Sequence, residues 1–419
     1  MKEESLLLLS DLQKLINQVV LIDYTIIILG GNCMSKVTIS EAIRYIGCDD
    51  HDIDLFESQY EVPNGVSYNS YLIVDDKIAI MDTADQRVSS QWFANLEEQL
   101  QGRTPDYLVV SHMEPDHAAN IAAVCEKYKD LQIVTNGKTK NMLPQFFETD
   151  YSSRVLEVKE GDTLELGTHT LTFIMAPMVH WPEVMVEYES REKVLFSADG
   201  FGKFGTLDTE EDWDCEARRY YMNIVGKYGM QVQALLKKAA ALDIEKICPL
   251  HGPILQEDLG HYIGKYQIWS SYEPENEGVT IAYASIHGNT AEAAKKMAEI
   301  LEQKGQKVSV FDLSRDDMAE AIEDAFRYDK LILAAATYDA ALFPPMEDFL
   351  YHLKIKNYQK RKIGFIENGS WAPMAAKQMK AYAENFKQCE VVEPVVTIRS
   401  TMKDDTVATM NKLADAILA

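Results

Sequence analysis

Residues 112–117 read HMEPDH. Two imidazoles and two carboxylates in so short a run are metal-type ligands. His112 and Glu114 are two apart, so on an extended segment their side chains project to the same side. Pro115 bends the chain after them, which lets Asp116 and His117 face a second ion. Such a loop cannot complete the coordination of two metals, so further ligands must come from elsewhere in the chain.

The segments around this loop say how it is held. DYLVVS (106–111) reads as a buried strand that delivers HMEPDH to its end, and AANIAAVCEKY reads as a helix with His117 near its start. Three other candidate ligands stand at strand-to-loop junctions: His180 closes FIMAPMVH, Asp199 closes VLFSAD, and His251 closes KICPLH. Together these are four histidines and three carboxylates, a set that suits two ions sharing one carboxylate. His261, in DLGHYIG, is the less favoured alternative to His251, because it lies in a predicted helix whereas CPLHGP follows a strand. His51, His169 and His352 lack such contexts and are expected at the surface, and Trp181 and Pro182 are expected to pack beside His180.

Elsewhere in the first part of the chain, VSYNSYLIVDDKIAIMD (66–82) reads as two strands around a turn at Asp75-Asp76-Lys77. RVLEVKEGDTLELGTHTLTFIMAP alternates as a β-meander, and residues 209–241 read as two helices. Near residue 270 the hydrophobic period disappears in SSYEPENEG, which reads as a linker. Beyond it strands and helices alternate, with strands VTIAYAS, KVSVFDL, KLILAAATY, KIGFIENG and EVVEPVVTI. That alternation predicts a doubly wound five-stranded parallel sheet.

The first of those strands ends in SIHGNTA, whose Ser285, Ile286, His287, Gly288, Asn289 and Thr290 lead into a helix. Hydroxyls and backbone N–H groups at a helix start can hold a phosphate without lysine or arginine. That suits the phosphate of FMN, and the GxGxxG fingerprint of a dinucleotide site is absent. His287 is expected to face solvent. Two further loops, ATYDAALFPP with Thr337, Tyr338 and Asp339, and ENGSWAP with Asn368, Gly369, Ser370 and Trp371, follow the third and fourth strands and flank a ring site in such a sheet. Tyr338 and Trp371 are both candidates to cover the ring.

HxExDH, followed by HWP, SAD and a late HG, resembles the flavodiiron proteins of the metallo-β-lactamase superfamily. Glu114 stands where the zinc enzymes of that superfamily have a second histidine, and a harder anionic ligand favours iron over zinc. The resemblance implies an N-terminal metallo-β-lactamase-like αββα sandwich and a C-terminal flavodoxin-like domain, with FMN and two iron ions as cofactors. It assigns His112, Glu114 and His180 to one iron, Asp116, His117 and His251 to the other, and Asp199 as the bridge. Sixty-two residues lie between His117 and His180 and eighteen between His180 and Asp199, as in that family, whereas the gap of 51 from Asp199 to His251 is shorter and implies trimmed loops or helices. Ser370 also departs from the family, which often has glycine before the tryptophan.

The implied activity is reduction of O2 to water, of NO to N2O, or both, at a diiron site re-reduced by FMN. The implied assembly is a head-to-tail homodimer or a dimer of dimers, in which the FMN of one subunit lies beside the irons of the other. With no rubredoxin-like CxxC module in the sequence, electrons are expected from a separate donor such as rubredoxin or a reduced soluble cofactor. The competing readings are a zinc metallo-hydrolase with a fused flavodoxin domain and a non-enzymatic electron carrier. Metal content separates the first from the diiron reading, and an intact seven-ligand set argues against the second.

The domain expectation is an extension over 1–33, a diiron domain over 34–270, a linker over 271–277 and an FMN domain over 278–419. The extension is read as non-native or disordered, with translation starting at Met34, because Gly30-Gly31 can encode a ribosome-binding core at a suitable distance. Its apolar runs are interrupted by Asp11, Lys14 and Asp23, too often to span a bilayer, and two acids precede them where a secretory signal wants positive charge. A net charge of −25 leaves no basic stripe for nucleic acid. Six scattered cysteines without a CxxC pair point to reduced, mostly buried thiols and a cytoplasmic protein, with neither nucleic acid nor membrane as partner.

Overall fold

The computed structural model describes residues 39–419, so the expected extension over 1–33, Cys33 included, lies outside the described residues. Two sheets build the first part. One has six strands in the order Ile43–Tyr45, Tyr71–Val74, Ile78–Met81, Tyr107–Val109, Gln132–Asn136 and Val155–Val158. The other has five, Thr163–Glu165, Thr170–Met175, Met185–Glu189, Val194–Phe196 and Lys246–Cys248. Tyr107–Val109 pairs in parallel with a neighbour on each side and is buried throughout, which explains its unbroken apolar run. The helix Ser89–Leu100 covers the outer face of the first sheet, packing Trp92 and Leu96 against Leu72, Ile80 and Leu108. Between the sheets, the ring of Tyr71 meets Phe196 at 5.4 Å and the Ser111 hydroxyl donates to Glu187 at 3.0 Å. These contacts make a two-sheet sandwich with its core on both sides of each sheet.

The last part is the expected doubly wound sheet. Its parallel strands lie in the order Val308–Asp312, Asn276–Ala284, Tyr328–Tyr338, Lys362–Asn368 and Val396–Ile398. In chain order this is 2-1-3-4-5, the flavodoxin-like arrangement, with the switch point between the first and third strands. Asn289–Gln303 and Asp404–Leu418 pack on one face through Met297, Leu301, Met410 and Leu413. The two parts are pinned by Arg218 of helix Trp213–Tyr220. Its Nε donates to Glu323 Oε1 at 2.7 Å and its Nη1 to Glu275 Oε1 at 2.9 Å.

Several local expectations change in three dimensions. Residues 66–82 form three strands, because Val66–Tyr68 pairs with Cys48–Asp50 rather than continuing into Tyr71–Val74. EVVEPVVTI splits into Glu390–Val391 and Val396–Ile398, since Pro394 has no N–H to offer the ladder. Glu275, in the expected linker, is held by Arg218, Lys265 and Trp269. His169 is not at the surface: it is buried between Asp75 at 2.7 Å and Glu192 at 3.3 Å, where it ties three turns together. His51 is exposed, and His352 is half-buried on helix Pro344–Ile355. Cys48, Cys125 and Cys248 are buried thiols, and Cys215 and Cys389 are half-buried. Among the described residues, no helix is long and apolar enough to cross a membrane.

Candidate functional site

Strand Tyr107–Val109 ends just before His112, and Pro115 opens a single helical turn, Pro115–Ala118, which carries Asp116 and His117. Proline suits that first helical position, because its missing N–H is not needed there. Asp199 follows strand Val194–Phe196 and is presented by a tight turn in which Gly200 N–H donates to Ser197 O at 2.9 Å. His251 follows strand Lys246–Cys248. Gly252 next to it has φ +78°, and a Cβ there would meet Lys203 Cγ at 2.7 Å, so the HG pair belongs to a turn that admits no larger residue.

These loops converge on one buried cage. His112 Nε2 stands 3.1 Å from Glu114 Oε2 and 3.3 Å from Asp199 Oδ2, and His180 Nε2 stands 3.0 Å and 3.3 Å from the same two oxygens. On the other side, Asp116 Oδ2 lies 3.2 Å from both His117 Nε2 and His251 Nε2, while Asp199 Oδ1 lies 3.5 Å from His117 Nε2. The ligand atoms therefore fall into two groups, with the two oxygens of Asp199 turned one to each. His261 is elsewhere, an exposed side chain on helix Leu259–Ser270 bonded to Asp214 at 2.6 Å.

The chemistry of these atoms fits metal ions. His251 Nδ1–H donates to Ser67 O at 2.8 Å, which leaves a lone pair on Nε2, yet that atom lies 3.0 Å from His117 Nε2. Two ring nitrogens at that distance need a shared cation or proton. With a metal–ligand bond of about 2.1 Å, neighbouring ligands on an octahedral ion stand about 3.0 Å apart. Both oxygens of Asp116 and of Asp199, and Nε2 of His180, are buried without a hydrogen-bond partner, which is costly for carboxylates unless a cation is present. Without metal, protons take that role. Burial would lower His117 and His180, but Asp116, Asp199 and Glu114 hold their pKa values up at about 10 and about 9. Burial would likewise raise Asp199, but His112, His117 and His180 hold it well below the carboxylate range.

A second layer orients the first. His112 Nδ1 bonds Glu183 Oε1 at 2.8 Å, and that oxygen also accepts from Met113 N–H at 3.0 Å. Glu183 was not among the sequence candidates. Its only signal is its place three residues after His180. Rings of Trp181, Phe56, Tyr68 and Tyr220 lie 5.2–5.8 Å from His112 or His251 and wall the cage with aromatic surface.

The second candidate site is a cavity of about 570 Å³ at the carboxyl ends of the parallel strands. Ser285, Ile286, His287, Asn289 and Thr290 line it from the first loop, Thr337, Tyr338 and Asp339 from the third, and Asn368, Gly369, Ser370 and Trp371 from the fourth. Gly288 is not in the lining. It sits at the N-cap of helix Asn289–Gln303 with φ 93°, and its N–H donates to Ser285 Oγ at 3.1 Å. His287 is exposed at the rim. No lysine or arginine lines the cavity, so a phosphate there would rest on N–H groups and hydroxyls. Thr337 Oγ1 is committed to Met374 N–H at 2.9 Å, so it fixes the fourth loop instead of pointing a free hydroxyl inward. Ser400, which sequence reasoning missed, joins from the loop after the fifth strand and bonds Ser370 Oγ at 2.8 Å. Trp371 is 90% exposed and Tyr338 46%, so both rings stand beside the cavity mouth.

Residues 66–252 match the family model described as ODP family beta lactamase, and residues 280–399 match that of a flavodoxin domain. An uncharacterised protein of Methanocaldococcus jannaschii is 30% identical over 88% of this chain and 94% of its own. A nitric oxide reductase of Moorella thermoacetica is 29% identical over 87% of this chain and 93% of its own. The solved structure of rubredoxin:oxygen oxidoreductase from Desulfovibrio gigas superposes with a TM-score of 0.85 at 24% identity, covering 91% of this chain and 97% of that one. FMN and a diiron centre are the cofactors that this pairing of domains carries, and both cavity and cage suit them. A β-lactamase-type domain with a carboxylate-rich dimetal cage, continued into a flavodoxin domain, makes this chain a member of the flavodiiron protein family.

Proposed function

We propose that this chain is an oxidoreductase that reduces O2 to water, NO to N2O, or both. The observation that carries the reading is Asp199, whose two orphaned oxygens each face one set of metal-type ligands, in a chain that continues into a flavodoxin domain. When bound, the irons would supply electrons to a diatomic gas and FMN would replace them singly. In this proposal His112, Glu114 and His180 would hold one iron and Asp116, His117 and His251 the other, with Asp199 offering one oxygen to each. Glu183 and the Ser67 carbonyl fix the tautomers of His112 and His251, so that Nε2 of each offers a lone pair. Three carboxylates offset most of the charge of two ferrous ions. Phe56, Tyr68, Trp181 and Tyr220 give the pocket an aromatic wall, which suits small uncharged substrates.

The loops after the first, third, fourth and fifth parallel strands hold FMN in the same proposal, with Tyr338 or Trp371 against the ring. The diiron domain runs over 34–270, the linker over 271–277 and the FMN domain over 278–419. The protein acts in the cytoplasm as a head-to-tail homodimer or dimer of dimers, taking electrons from rubredoxin or a reduced soluble cofactor. Support for the gases comes from the named activities of the Moorella and Desulfovibrio proteins. The test is metal and flavin analysis of purified protein, followed by anaerobic kinetics of the reduced form with each gas. Yellow protein with two irons that consumes either gas is expected. Colourless protein holding only zinc overturns the reading in favour of a hydrolase.

A further inference from the structure

We propose that Tyr266, Trp269, Trp213 and Tyr262 form a one-electron path from the metal cage to the protein surface, draining an oxidising equivalent stranded at the cage. The inference rests on the O2-reducing reading above. An enzyme that meets O2 while holding too few electrons is left with an oxidant next to histidine ligands. An adjacent donor then spares those ligands.

The path begins at the bridging residue. Two residues beyond Asp199, Phe201 N–H donates to Tyr266 Oη at 2.5 Å, and the Phe201 ring stacks on Tyr266 at 4.2 Å. Tyr266 meets Trp269 at 5.5 Å, Trp269 lies nearly parallel to Trp213 at 5.8 Å, and Trp213 meets Tyr262 at 4.6 Å. Tyr262 is half-buried and stands beside exposed His261. By contrast, Tyr220 beside His251 meets Phe56 and Phe204, whose rings are much harder to oxidise.

Two features of the indoles exceed what packing requires. Trp269 Nε1–H donates to Glu275 Oε2 at 2.7 Å, and Arg218 and Lys265 hold that carboxylate in place. A tryptophan that has lost an electron is strongly acidic at Nε1, so a carboxylate on that proton eases the oxidation. Trp213 Nε1 is buried without a partner, a penalty that leucine or phenylalanine would avoid.

The step balances. One electron would pass from Trp269 to the oxidant held at the cage, tunnelling past the Tyr266 ring, which keeps its phenolic proton, and the Trp269 Nε1 proton passes to Glu275. An electron then moves inward from Trp213 to Trp269 as Glu275 returns the Nε1 proton, and Tyr262 refills Trp213 and sheds its phenolic proton to solvent. A thiol or ascorbate returns one electron at Tyr262, which recovers a proton from solvent.

The test uses the full chain loaded with iron and FMN, reduced with fewer electrons than O2 requires, mixed with O2 and freeze-quenched. Electron paramagnetic resonance is expected to show a tryptophanyl or tyrosyl radical that Trp269→Phe abolishes. After repeated turnover, peptide mass spectrometry should find oxygen additions at Trp213 and Tyr262. In Trp269→Phe these should move to the cage histidines and Tyr220, with several-fold fewer turnovers before inactivation at an unchanged initial rate. Trp213→Phe serves the same purpose nearer the surface if Trp269→Phe does not fold. Protein that consumes O2 without such a radical, and variants that last as long as the parent, overturn the path alone. Protein that consumes no O2 overturns the functional reading and the path with it.

Discussion

Glu183 gives the sharpest test of how the cage is held. One of its oxygens takes both His112 Nδ1–H and Met113 N–H, and the side chain is 1% exposed. Glu183→Ala would leave two buried donors unpaired, each costing about 1–3 kcal/mol. A sum of about 2–6 kcal/mol is a large part of the 5–15 kcal/mol that stabilises a typical domain. Glu183→Gln keeps an acceptor but removes the charge that orients His112 and raises its basicity. Loss of such a partner typically weakens metal affinity about 10–100-fold, or about 1.4–2.7 kcal/mol. The assay is iron retained against a competing chelator, with thermal unfolding of the metal-free and iron-loaded forms. Glu183→Gln should fold and release iron more easily, while Glu183→Ala should also melt lower without metal. If Glu183→Ala matched the parent in both iron affinity and melting temperature, the assignment of Glu183 as the support of His112 would be wrong.

Other outcomes follow from the same structure. Glu114→His should lower the ratio of iron to zinc in purified protein, measured by elemental analysis; unchanged iron content and activity would remove Glu114 from the ligand set. The metal-free protein should lose stability as pH rises. His117 and His180 have folded pKa values of about 10 and about 9, above the unfolded value of about 6.5. Their contribution is therefore complete below about pH 6.5 and disappears as pH climbs through about 9–10. Iron affinity should move the opposite way, because binding displaces those protons; melting temperature and chelator competition across pH report the two trends. Arg218→Met leaves Glu323 buried without its partner, while Glu275 keeps Lys265 and Trp269, and should cost about 3–5 kcal/mol in urea unfolding. Trp371→Ala, at a side chain 90% exposed, should leave stability within about 0.5 kcal/mol while altering FMN fluorescence.

Much of this architecture is legible along the chain because its signals are local. HMEPDH stands at the end of an apolar run, and a parallel strand buried on both faces must read that way. The alternation of five strands with helices implied a doubly wound sheet, and the order 2-1-3-4-5 then put its loops around one cavity. The failures share a cause. His169 has no motif, and only the approach of Asp75 and Glu192 from distant turns buries it. Ser400 follows a strand whose continuity Pro394 interrupts, so its loop carried no clear strand-end mark.

The sequence by itself determined the doubly wound sheet, the ligand types and the strand ends that carry them, because periodicity and turn chemistry act between near neighbours, whereas the β-lactamase-like sandwich was implied by the resemblance of the ligand motifs. Tertiary structure alone decided that Asp199 faces both ligand groups, that Glu183 stands behind His112, and that Glu275 joins Arg218 to Trp269. Apart from Glu275 and Trp269, which are six residues apart, those are distances between groups tens of residues apart. Only the packing of the sheets fixes them, and no local preference records it.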